Sequence, residues 1–444
     1  MKTLIKNALV INESISERKS ILIEGKLIKG IYNQEDILPE SDTVIDAEGL
    51  WLLPGIIDDQ VHFREPGNTY KADIFSESRA AAAGGVTSYM ELPNTNPATV
   101  TNELLKEKQI IASQNSAVNY SFYLGATNDN IDEIKKLDKN TVAGVKMFLG
   151  SSTGNLLVTD KKRIEQILRE SPVIIAAHCE DDGIINKNLA EYKNIYNDDI
   201  PVRFHPLIRS EEACYLSSSG IIKMVQRTGA RLHIYHVSTE KEIELFSDKE
   251  LESKNITAEV CVHHLWFNDS DYEKLGTLIK WNPAIKKESD RQALIKALKE
   301  GRIDVVATDH APHSIEEKSQ PYTKAPSGAP MIQHSLIVML ELAKQGYFCN
   351  EDLVKWMCHN PADLFKIDRR GYIRENYYAD LVLINPEIKT KVDKENLFYK
   401  CKWSPLEGTV FSSSVFCTFV NGKVVYRNSE IIESKAAMQL KFNR

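Results

Sequence analysis

Two kinds of apolar–polar pattern alternate through the middle of the chain. Short apolar runs of β-forming residues occupy residues 56–62, 86–92, 120–125, 144–149, 173–178, 232–237, 257–262 and 303–308. Patterns of helical period separate most of them, at residues 74–83, 102–114, 131–136, 160–170, 210–228, 239–246 and 286–301. Eight strands that alternate with helices predict an α/β fold built on a parallel (β/α)8 TIM barrel.

Both ends of the chain are patterned as short strands with turns. Strands are predicted at residues 3–11, 20–24, 27–32 and 43–46, and again at residues 380–384, 414–420 and 423–426. Asn421 and Gly422 separate the last two strands and are typical of a tight hairpin turn. We therefore predict that residues 1–50 and 366–444 form the two parts of one small β-sandwich, and that residues 51–365 form the barrel.

Polar side chains stand at or just beyond the C-terminal ends of the predicted barrel strands. They are His62, Asn94, Lys146, His178, His236, His263 and Asp309. In TIM barrels the active site lies at this end of the strands, so we expect these side chains to converge there. His205, His233, His334 and His359 lie elsewhere, and we interpret them as hydrogen-bonded core histidines.

The first barrel strand carries a row of polar side chains. Because successive side chains of a strand point to opposite faces, one face carries Asp58, Gln60, His62 and Arg64, and the other carries Ile57, Asp59, Val61 and Phe63. An acid, an amide, an imidazole and a guanidinium are costly to bury in an ordinary core. This row predicts that a cation, an anion or both bind in front of the strand.

Two motifs in the chain resemble those of dihydroorotases, in the cyclic amidohydrolase branch of the amidohydrolase superfamily. The first is Asp58-Asp-Gln-Val-His-Phe-Arg-Glu-Pro-Gly67, close to the family pattern Asp-x-His-x-His-Phe-Arg-Glu-Pro-Gly. The second is Ala307-Thr-Asp-His-Ala-Pro-His-Ser314, which resembles the family's last-strand signature. The resemblance spans nearly the whole chain, and pairing of the two termini into one sandwich is expected of this superfamily.

The resemblance implies a metal centre in the barrel. Its ligands would be His62, Lys146, His178, His236 and Asp309, holding one or two Zn²⁺ ions per chain. Lys146 has apolar neighbours that would draw its amine inside, where the neutral form is favoured and can add carbon dioxide. It is similar to the carboxylated lysine of dihydropyrimidinases and many dihydroorotases, which bridges two metals. Some dihydroorotases instead carry an aspartate here and lack this chemistry.

Gln60 stands where the family has its first histidine. The paired histidines of this strand bind the more buried metal, and an amide oxygen is a poorer zinc ligand than an imidazole. We therefore expect the site formed by Lys146, His178 and His236 to bind metal tightly, and the site of His62 and Asp309 to bind it more weakly.

The resemblance also implies the substrate and the reaction. Dihydroorotate and its product N-carbamoyl-aspartate carry carboxylates, for which Arg64 supplies a guanidinium fork. Asn94, Asn282 and His313 match the family's other substrate-binding positions, although either asparagine alone would pass for a turn residue beside a proline. Asp309 would accept the proton of the attacking water and pass it to the departing ring nitrogen, in a step of pyrimidine synthesis.

Two alternatives stay open. Allantoinase or dihydropyrimidinase would share the metals, but neither is expected to carry the signature at residues 63–67, because dihydropyrimidine substrates lack the carboxylate that Arg64 would bind. The other alternative is a silent homologue that serves as a scaffold, for instance for aspartate transcarbamoylase. Such relatives lose metal ligands, and Gln60 is one loss, yet the five ligand positions named above persist.

Composition narrows the possible partners. Apolar residues make up 42% and charged residues 26% of the chain, as in soluble globular proteins. A net charge of −7 without a basic tract argues against nucleic acid. The N-terminus lacks a signal-peptide pattern, and no apolar run approaches the roughly 18 residues that cross a bilayer, so we expect no membrane partner.

Two further expectations concern the cell and the assembly. Seven scattered cysteines without a Cys-x-x-Cys pair indicate reduced thiols and a cytoplasmic protein. A homodimer is usual in this superfamily and is our expectation. Residues 319–331, rich in Pro and Gly, predict either a lid over the site or a plain connection to a helix at residues 331–344.

Overall fold

The computed structural model describes residues 1–150 and 156–444 of the chain. It begins with five strands, β1 (Lys2–Asn12), β2 (Ile15–Glu24), β3 (Leu27–Tyr32), β4 (Thr43–Asp46) and β5 (Trp51–Pro54). β1 pairs antiparallel with β2 and parallel with both β4 and β5. A register shift between Ile5 and Ala8 lies between the part of β1 that pairs with β4 and the part that pairs with β5.

Eight parallel strands form the barrel, as predicted. They are β6 (Ile56–Val61), β7 (Val86–Glu91), β8 (Asn119–Gly125), β9 (Gly144–Phe148), β10 (Ile175–His178), β11 (Leu232–Ile234), β12 (Ile256–Cys261) and β13 (Val305–Ala307). Each strand pairs with the next, and the barrel closes where His62 N donates to His310 O at 2.8 Å. Asp58 joins the same two strands, because its Oδ2 accepts from Thr308 Oγ1 at 2.6 Å.

Fifteen α-helices are present in the described parts of the chain. They are α1 (Ile74–Ala83), α2 (Asn102–Asn115), α3 (Ile131–Lys135), α4 (Lys161–Glu170), α5 (Asp182–Tyr196), α6 (His205–Ile208), α7 (Glu211–Thr228), α8 (Glu240–Ile243), α9 (Val262–Trp266), α10 (Tyr272–Leu275), α11 (Glu288–Lys299), α12 (Ile315–Lys318), α13 (Ser335–Lys344), α14 (Asn350–Val354) and α15 (Asn360–Phe365). The seven predicted helices between barrel strands are all among them. None of the described helices is long and apolar enough to span a membrane.

Local signals explain where the longer helices begin and end. Asp73 caps α1, with its side chain accepting from Ser76 N at 2.7 Å. Ser210 caps α7, which ends at Gly229 in the left-handed region at φ 71°. The sequence did not predict α5, because Ile185 is the one buried side chain in its 15 residues and no apolar stripe marks it as a helix.

The C-terminal segment completes the sheet that the N-terminus begins. Its strands are β14 (Leu381–Asn385), β15 (Thr390–Lys391), β16 (Val410–Phe411), β17 (Ser414–Val420), β18 (Lys423–Arg427) and β19 (Glu430–Ile431). Nine strands form one mixed sheet in the order β19-β18-β17-β14-β5-β1-β2-β3, with β4 beside β1. Asn421 and Gly422 have φ of 49° and 76°, as the predicted hairpin between β17 and β18 requires.

Side chains from both termini share one apolar core, consistent with the expected sandwich. They include Ile5, Val10, Ile21, Ile28, Leu52, Leu381, Leu383 and Phe419. β5 lies in this sheet, although its residues fall just inside the range 51–365 that we assigned to the barrel. The exact domain borders stay a prediction.

Candidate active site

One pocket at the C-terminal ends of the barrel strands collects the predicted site residues. Its lining includes His62, Arg64, Asn94, Lys146, His178, His236, Asn282 and Asp309, together with Gln60. We call it the rim pocket. His313 lies directly behind this lining, with its Nε2 3.1 Å from Arg64 Nη2. His263, also at a strand end, is not among the described lining residues and stacks on Trp281 with ring centroids 4.1 Å apart.

Three side chains of the rim pocket start from an unusual backbone conformation. Arg64, His236 and Asp309 have φ of 67°, 42° and 46°, in the left-handed region that residues other than glycine rarely adopt. Each follows the last residue of a barrel strand by two or three positions, where the chain turns away from the sheet. Such strain tends to collect at functional sites, because the surrounding fold must hold it in place.

His178 and His236 face each other across the pocket. His178 Nδ1 lies 2.9 Å from His236 Nε2. On its other side, His178 Nε2 lies 3.0 Å from Glu180 Oε2, and Arg209 pairs with the same carboxylate. Burial acts to raise the pKa of Glu180, but the contacts with Arg209 and His178 outweigh burial and lower this pKa to about 2. An ionised Glu180 therefore orients the His178 ring and leaves Nδ1 for a ligand.

Lys146 projects from β9 into the same space. Its side chain is fully buried, and Nζ has no hydrogen-bond partner within residues 1–150 and 156–444. The amine lies 4.0 Å from the ring centroid of Tyr235 and 4.9 Å from that of Phe148. Burial lowers the pKa of Lys146 from 10.5 to about 7, although Asp309 and Glu259 oppose the shift. The neutral amine that carboxylation requires is therefore well populated near neutral pH.

Asp309 is the carboxylate of the pocket. Its Oδ1 lies 3.0 Å from His62 Nε2 and accepts a hydrogen bond from Gln60 Nε2 at 3.3 Å. His62 Nδ1 lies 2.7 Å from Asn94 Oδ1, so the ring is held from both sides. The amide oxygen of Gln60 faces Cys261 Sγ instead, at 3.7 Å. Gln60 thus positions Asp309 through its nitrogen.

Arg64 is fixed by contacts away from the pocket. Its Nε donates to Pro312 O at 3.1 Å, and burial lowers its pKa from 12.5. His313 is held in turn by Lys71 Nζ, which donates to its Nδ1 at 3.0 Å, and by Ser327 O, which accepts from its Nε2 at 3.1 Å. Burial, followed by the charge of Arg64, lowers the pKa of His313 to about 3. His313 is therefore a neutral neighbour of a charged guanidinium.

Residues 319–331 form part of the pocket wall. Ser327 and Gly328 line the pocket, and Ser327 Oγ donates to Asn282 Oδ1 at 2.9 Å. A buried lysine holds the segment, since Lys318 Nζ donates to Pro326 O at 2.9 Å and to Gly328 O at 2.8 Å. Residues 319–331 therefore contribute to the wall of the pocket as well as connecting α12 to α13.

The donor set fits a divalent metal of the zinc type. Imidazole nitrogens of His62, His178 and His236, the Asp309 carboxylate and the unpartnered Lys146 amine all reach one pocket. Burial lowers the pKa of His62. Burial also lowers the pKa of His236 well below its usual value, and the charges of His178 and Lys146 add to this shift. Neutral imidazoles are the form that binds metals, and nitrogen and oxygen donors suit borderline metals.

The sequence did not identify every residue of the site. It missed Glu180, Tyr235 and Ser327, and Glu180 could have been found from its position two residues after His178. The four histidines interpreted as core residues each have a hydrogen-bond partner, which for His233 Nδ1 is Thr257 Oγ1 at 2.8 Å. His205 contacts Trp281 O and Tyr322 OH, His334 contacts Tyr399 OH, and His359 contacts Gly371 O.

Known proteins resemble this chain over nearly its whole length. Residues 51–425 match the model of the family described as "Amidohydrolase family". The chain is 30% identical over 433 residues to a protein named dihydroorotase from Staphylococcus epidermidis, over 96% of this chain and 100% of that protein. It is 33% identical over 443 residues to a dihydroorotase from Caldanaerobacter subterraneus, over 98% and 99%. A solved L-hydantoinase (dihydropyrimidinase) from Arthrobacter aurescens has a TM-score of 0.93 and 26% identity over 99% of both chains.

Proposed function

Because this chain belongs to the amidohydrolase family, we propose that it is a dihydroorotase. It hydrolyses the cyclic amide of (S)-dihydroorotate reversibly to N-carbamoyl-L-aspartate, in de novo pyrimidine synthesis. The observation that carries the proposal is Arg64, whose guanidinium lines the same pocket as His62 and Asp309. A guanidinium pairs with a carboxylate through two parallel hydrogen bonds, and dihydroorotate has the carboxylate that dihydropyrimidines lack.

We propose zinc as the metal, held by His62, Lys146, His178, His236 and Asp309, with Lys146 carboxylated. A bound divalent metal supplies a Lewis acid that polarises the ring carbonyl and lowers the pKa of water. The weaker ligand set is that of His62 and Asp309, because Gln60 directs its amide nitrogen toward Asp309. One or two ions per chain are compatible with this donor set.

Asp309 transfers a proton from the attacking water to the departing ring nitrogen. Water attacks the ring carbonyl carbon, and the Asp309 carboxylate accepts the proton that the water loses. The ring carbon–nitrogen bond then breaks, and Asp309 returns this proton to the departing nitrogen. Gln60 Nε2 at 3.3 Å keeps the carboxylate aimed into the pocket during both transfers. The same residue serves as base and then as acid, so the step runs in either direction.

Arg64, Asn94, Asn282 and His313 orient the substrate. Arg64 binds the α-carboxylate, and the His313 ring packs behind it as a neutral group that leaves the guanidinium charge unopposed. Asn94 uses Oδ1 toward His62, which leaves its amide nitrogen to donate to the substrate. Asn282 Oδ1 accepts a hydrogen bond from Ser327, which likewise leaves the Asn282 amide nitrogen to donate to the substrate. The ring is thereby fixed with its amide toward Asp309.

A turnover assay on three substrates tests the function. The purified protein should hydrolyse dihydroorotate, and should act at least about 100-fold less efficiently on dihydrouracil and allantoin, because neither offers Arg64 a carboxylate. Preference for dihydrouracil would favour the second candidate, a dihydropyrimidinase, which the L-hydantoinase structure makes worth testing. Loss of all three activities in metal-loaded protein would favour the scaffold alternative, for instance a partner of aspartate transcarbamoylase.

The remaining proposals concern metal, assembly and location. Anomalous scattering at the zinc edge would identify the ion, and electron density at Lys146 Nζ would show or exclude a carboxyl group. We propose a cytoplasmic homodimer. Light scattering of the purified protein measures the mass directly, and a value near the chain's 50.3 kDa would contradict the dimer.

A further inference from the structure

Three ionisable side chains meet inside the barrel beneath the rim pocket. Asp59 comes from β6, His233 from β11 and Glu259 from β12, and all three are 0% exposed. His233 Nε2 lies 3.3 Å from Asp59 Oδ2 and 3.9 Å from Glu259 Oε2. One oxygen from each carboxylate and a ring nitrogen therefore lie within 4.8 Å of one another. We call these three residues the lower cluster.

The lower cluster is separate from the rim pocket. None of its members is among the described residues that line that pocket. Asp59, His233 and Glu259 lie within their strands, whereas His62 and His236 follow the ends of β6 and β11, so the cluster lies deeper in the barrel. Barrel interiors are normally filled at this depth by apolar side chains. Two carboxylates and an imidazole therefore need an explanation.

Four polar atoms of the lower cluster lack hydrogen-bond partners among the described residues. In the described part of the chain, no partner is found for either Asp59 oxygen, for Glu259 Oε2 or for His233 Nε2. Two other buried carboxylates do have hydrogen bonds, since Asp58 accepts from Thr308 and Glu77 accepts from Lys400 N at 2.9 Å. Buried charges are normally paired or bound to a metal, so the unpartnered oxygens indicate a missing cation.

The geometry of His233 supports a metal in particular. Its Nδ1 is held by Thr257 Oγ1 at 2.8 Å, which fixes the ring with Nε2 toward the two carboxylates. Metal-binding histidines are typically held in this way at the nitrogen that does not bind. A cation between these side chains would therefore meet one imidazole nitrogen and two carboxylate oxygens.

We propose that Asp59, His233 and Glu259 bind one divalent cation of the zinc or manganese type, at a site distinct from the rim pocket. One nitrogen and two carboxylates form a donor set that these borderline metals accept. The ion would join β6 to β11 and β12 across the barrel. Glu259 Oε1 also lies 3.2 Å from His236 N, so the same carboxylate that holds the lower ion supports the backbone of the rim pocket.

Metal analysis of an isosteric variant tests the proposal. Asp59→Asn removes one charged ligand, and after loading with Mn²⁺ or Zn²⁺ and dialysis it should hold about one ion per chain fewer than the wild type. Asp58→Asn is the matched control, because it neutralises the neighbouring buried carboxylate, which already has hydrogen bonds. That control should lose no ion. Equal metal content in Asp59→Asn and the wild type would overturn the proposal.

A second measurement keeps the test independent of how the variant folds. Crystals of the wild type, measured at the edge of the loaded metal, should show an anomalous peak between Asp59, His233 and Glu259. In His178→Asn, which removes a ligand of the rim pocket, this peak should persist while the rim signal weakens. Density without an anomalous peak between the three side chains would mean that protons balance the cluster, and the proposal would be wrong.

Discussion

The two sides of the rim pocket are built differently. On the metal side, which comprises Lys146, His178 and His236, the Lys146 amine finds no hydrogen-bond partner among the described residues, and His178 Nδ1 and His236 Nε2 face each other at 2.9 Å. On the carboxylate side, which comprises Arg64, Asn94, Asn282 and His313, each side chain already contacts a neighbour. A donor atom without a partner gains its missing contact from a ligand that binds tightly, such as a metal ion. Side chains that neighbours already hold in place are preorganised for a substrate that must leave.

Burial also acts differently on the two sides. It lowers the pKa of Lys146 to about 7 and lowers that of His236 well below its usual value, so both offer neutral nitrogens. It lowers the pKa of Arg64 as well, but a guanidinium starts from 12.5 and stays charged. The same desolvation therefore produces uncharged metal ligands on one side and a cation on the other.

The largest expected effect falls on Asp309, which lies between the two sides. Asp309→Asn keeps the shape but cannot accept a proton, so kcat for dihydroorotate should fall by about 10³- to 10⁴-fold, with KM changed by less than about fivefold. Steady-state kinetics measures both. Metal content must be determined on the same preparation, because Asp309 is also a proposed ligand.

Asp304→Asn is the matched control for this variant. Asp304 immediately precedes β13, at the end of the strand opposite Asp309, and pairs with Lys254 at 2.6 Å. It should reduce thermal stability while kcat stays within about twofold of the wild type. Turnover near the wild-type value in Asp309→Asn would remove Asp309 from the proton route.

The next effect belongs to the carboxylate side. Arg64→Lys keeps a positive charge but loses the planar fork, so kcat/KM for dihydroorotate should fall by about 100-fold. Hydrolysis of dihydrouracil, however weak in the wild type, should change by less than about threefold, because that substrate has no carboxylate. Parallel kinetics on both substrates measures the difference, and an equal loss on both would mean that Arg64 only supports the fold.

A smaller effect is expected where His62 and Asp309 would bind the weaker metal ion. Gln60→His adds an imidazole next to His62 and Asp309, and should tighten metal binding there on the order of tenfold. Titration with zinc after chelation should therefore show the weaker binding step move toward the tighter one. Gln60→Asn, which shortens the side chain without adding a ligand, is the control. Two equally tight ions in the wild type would contradict the proposed order of the sites.

The strand pattern predicted the barrel and the polar ends of its strands because both follow from local sequence. Each apolar run predicts its strand from its own residues alone. The residues that follow a strand then lie at the C-terminal end of the barrel, independently of which other residues they contact. His62, Lys146, His178 and Asp309 could therefore be placed before any coordinates. The hairpin at Asn421 was predictable for the same reason, since its turn chemistry is local.

Features that depend on contacts across the barrel were not predicted. Asp59 was placed on the apolar face of its strand, and His233 was interpreted as an ordinary core histidine. That they meet Glu259 depends on the closure of eight strands, which no local pattern encodes. Asp59 between Ile57 and Val61 was the available signal, because an acid on an apolar face is costly unless it is paired. β5 was missed because its four residues are too few to show alternation.

The smallest effect follows from the low pKa of Lys146. Between about pH 7, its pKa in the folded metal-free protein, and 10.5, its usual value, the unfolded chain binds more protons than the folded one. The free energy of unfolding therefore rises with pH across this window, by at most about 1.4 kcal/mol per pH unit. The Lys146→Met variant has no titrating amine at this position and therefore lacks this pH-dependent part of the free energy of unfolding. In chelated, carbonate-free buffers the Tm of the wild type should rise relative to the variant by about 1 °C per pH unit. Parallel Tm curves from pH 7 to 10 would mean that Lys146 keeps an ordinary pKa, and the metal side would then not be a neutral-donor site.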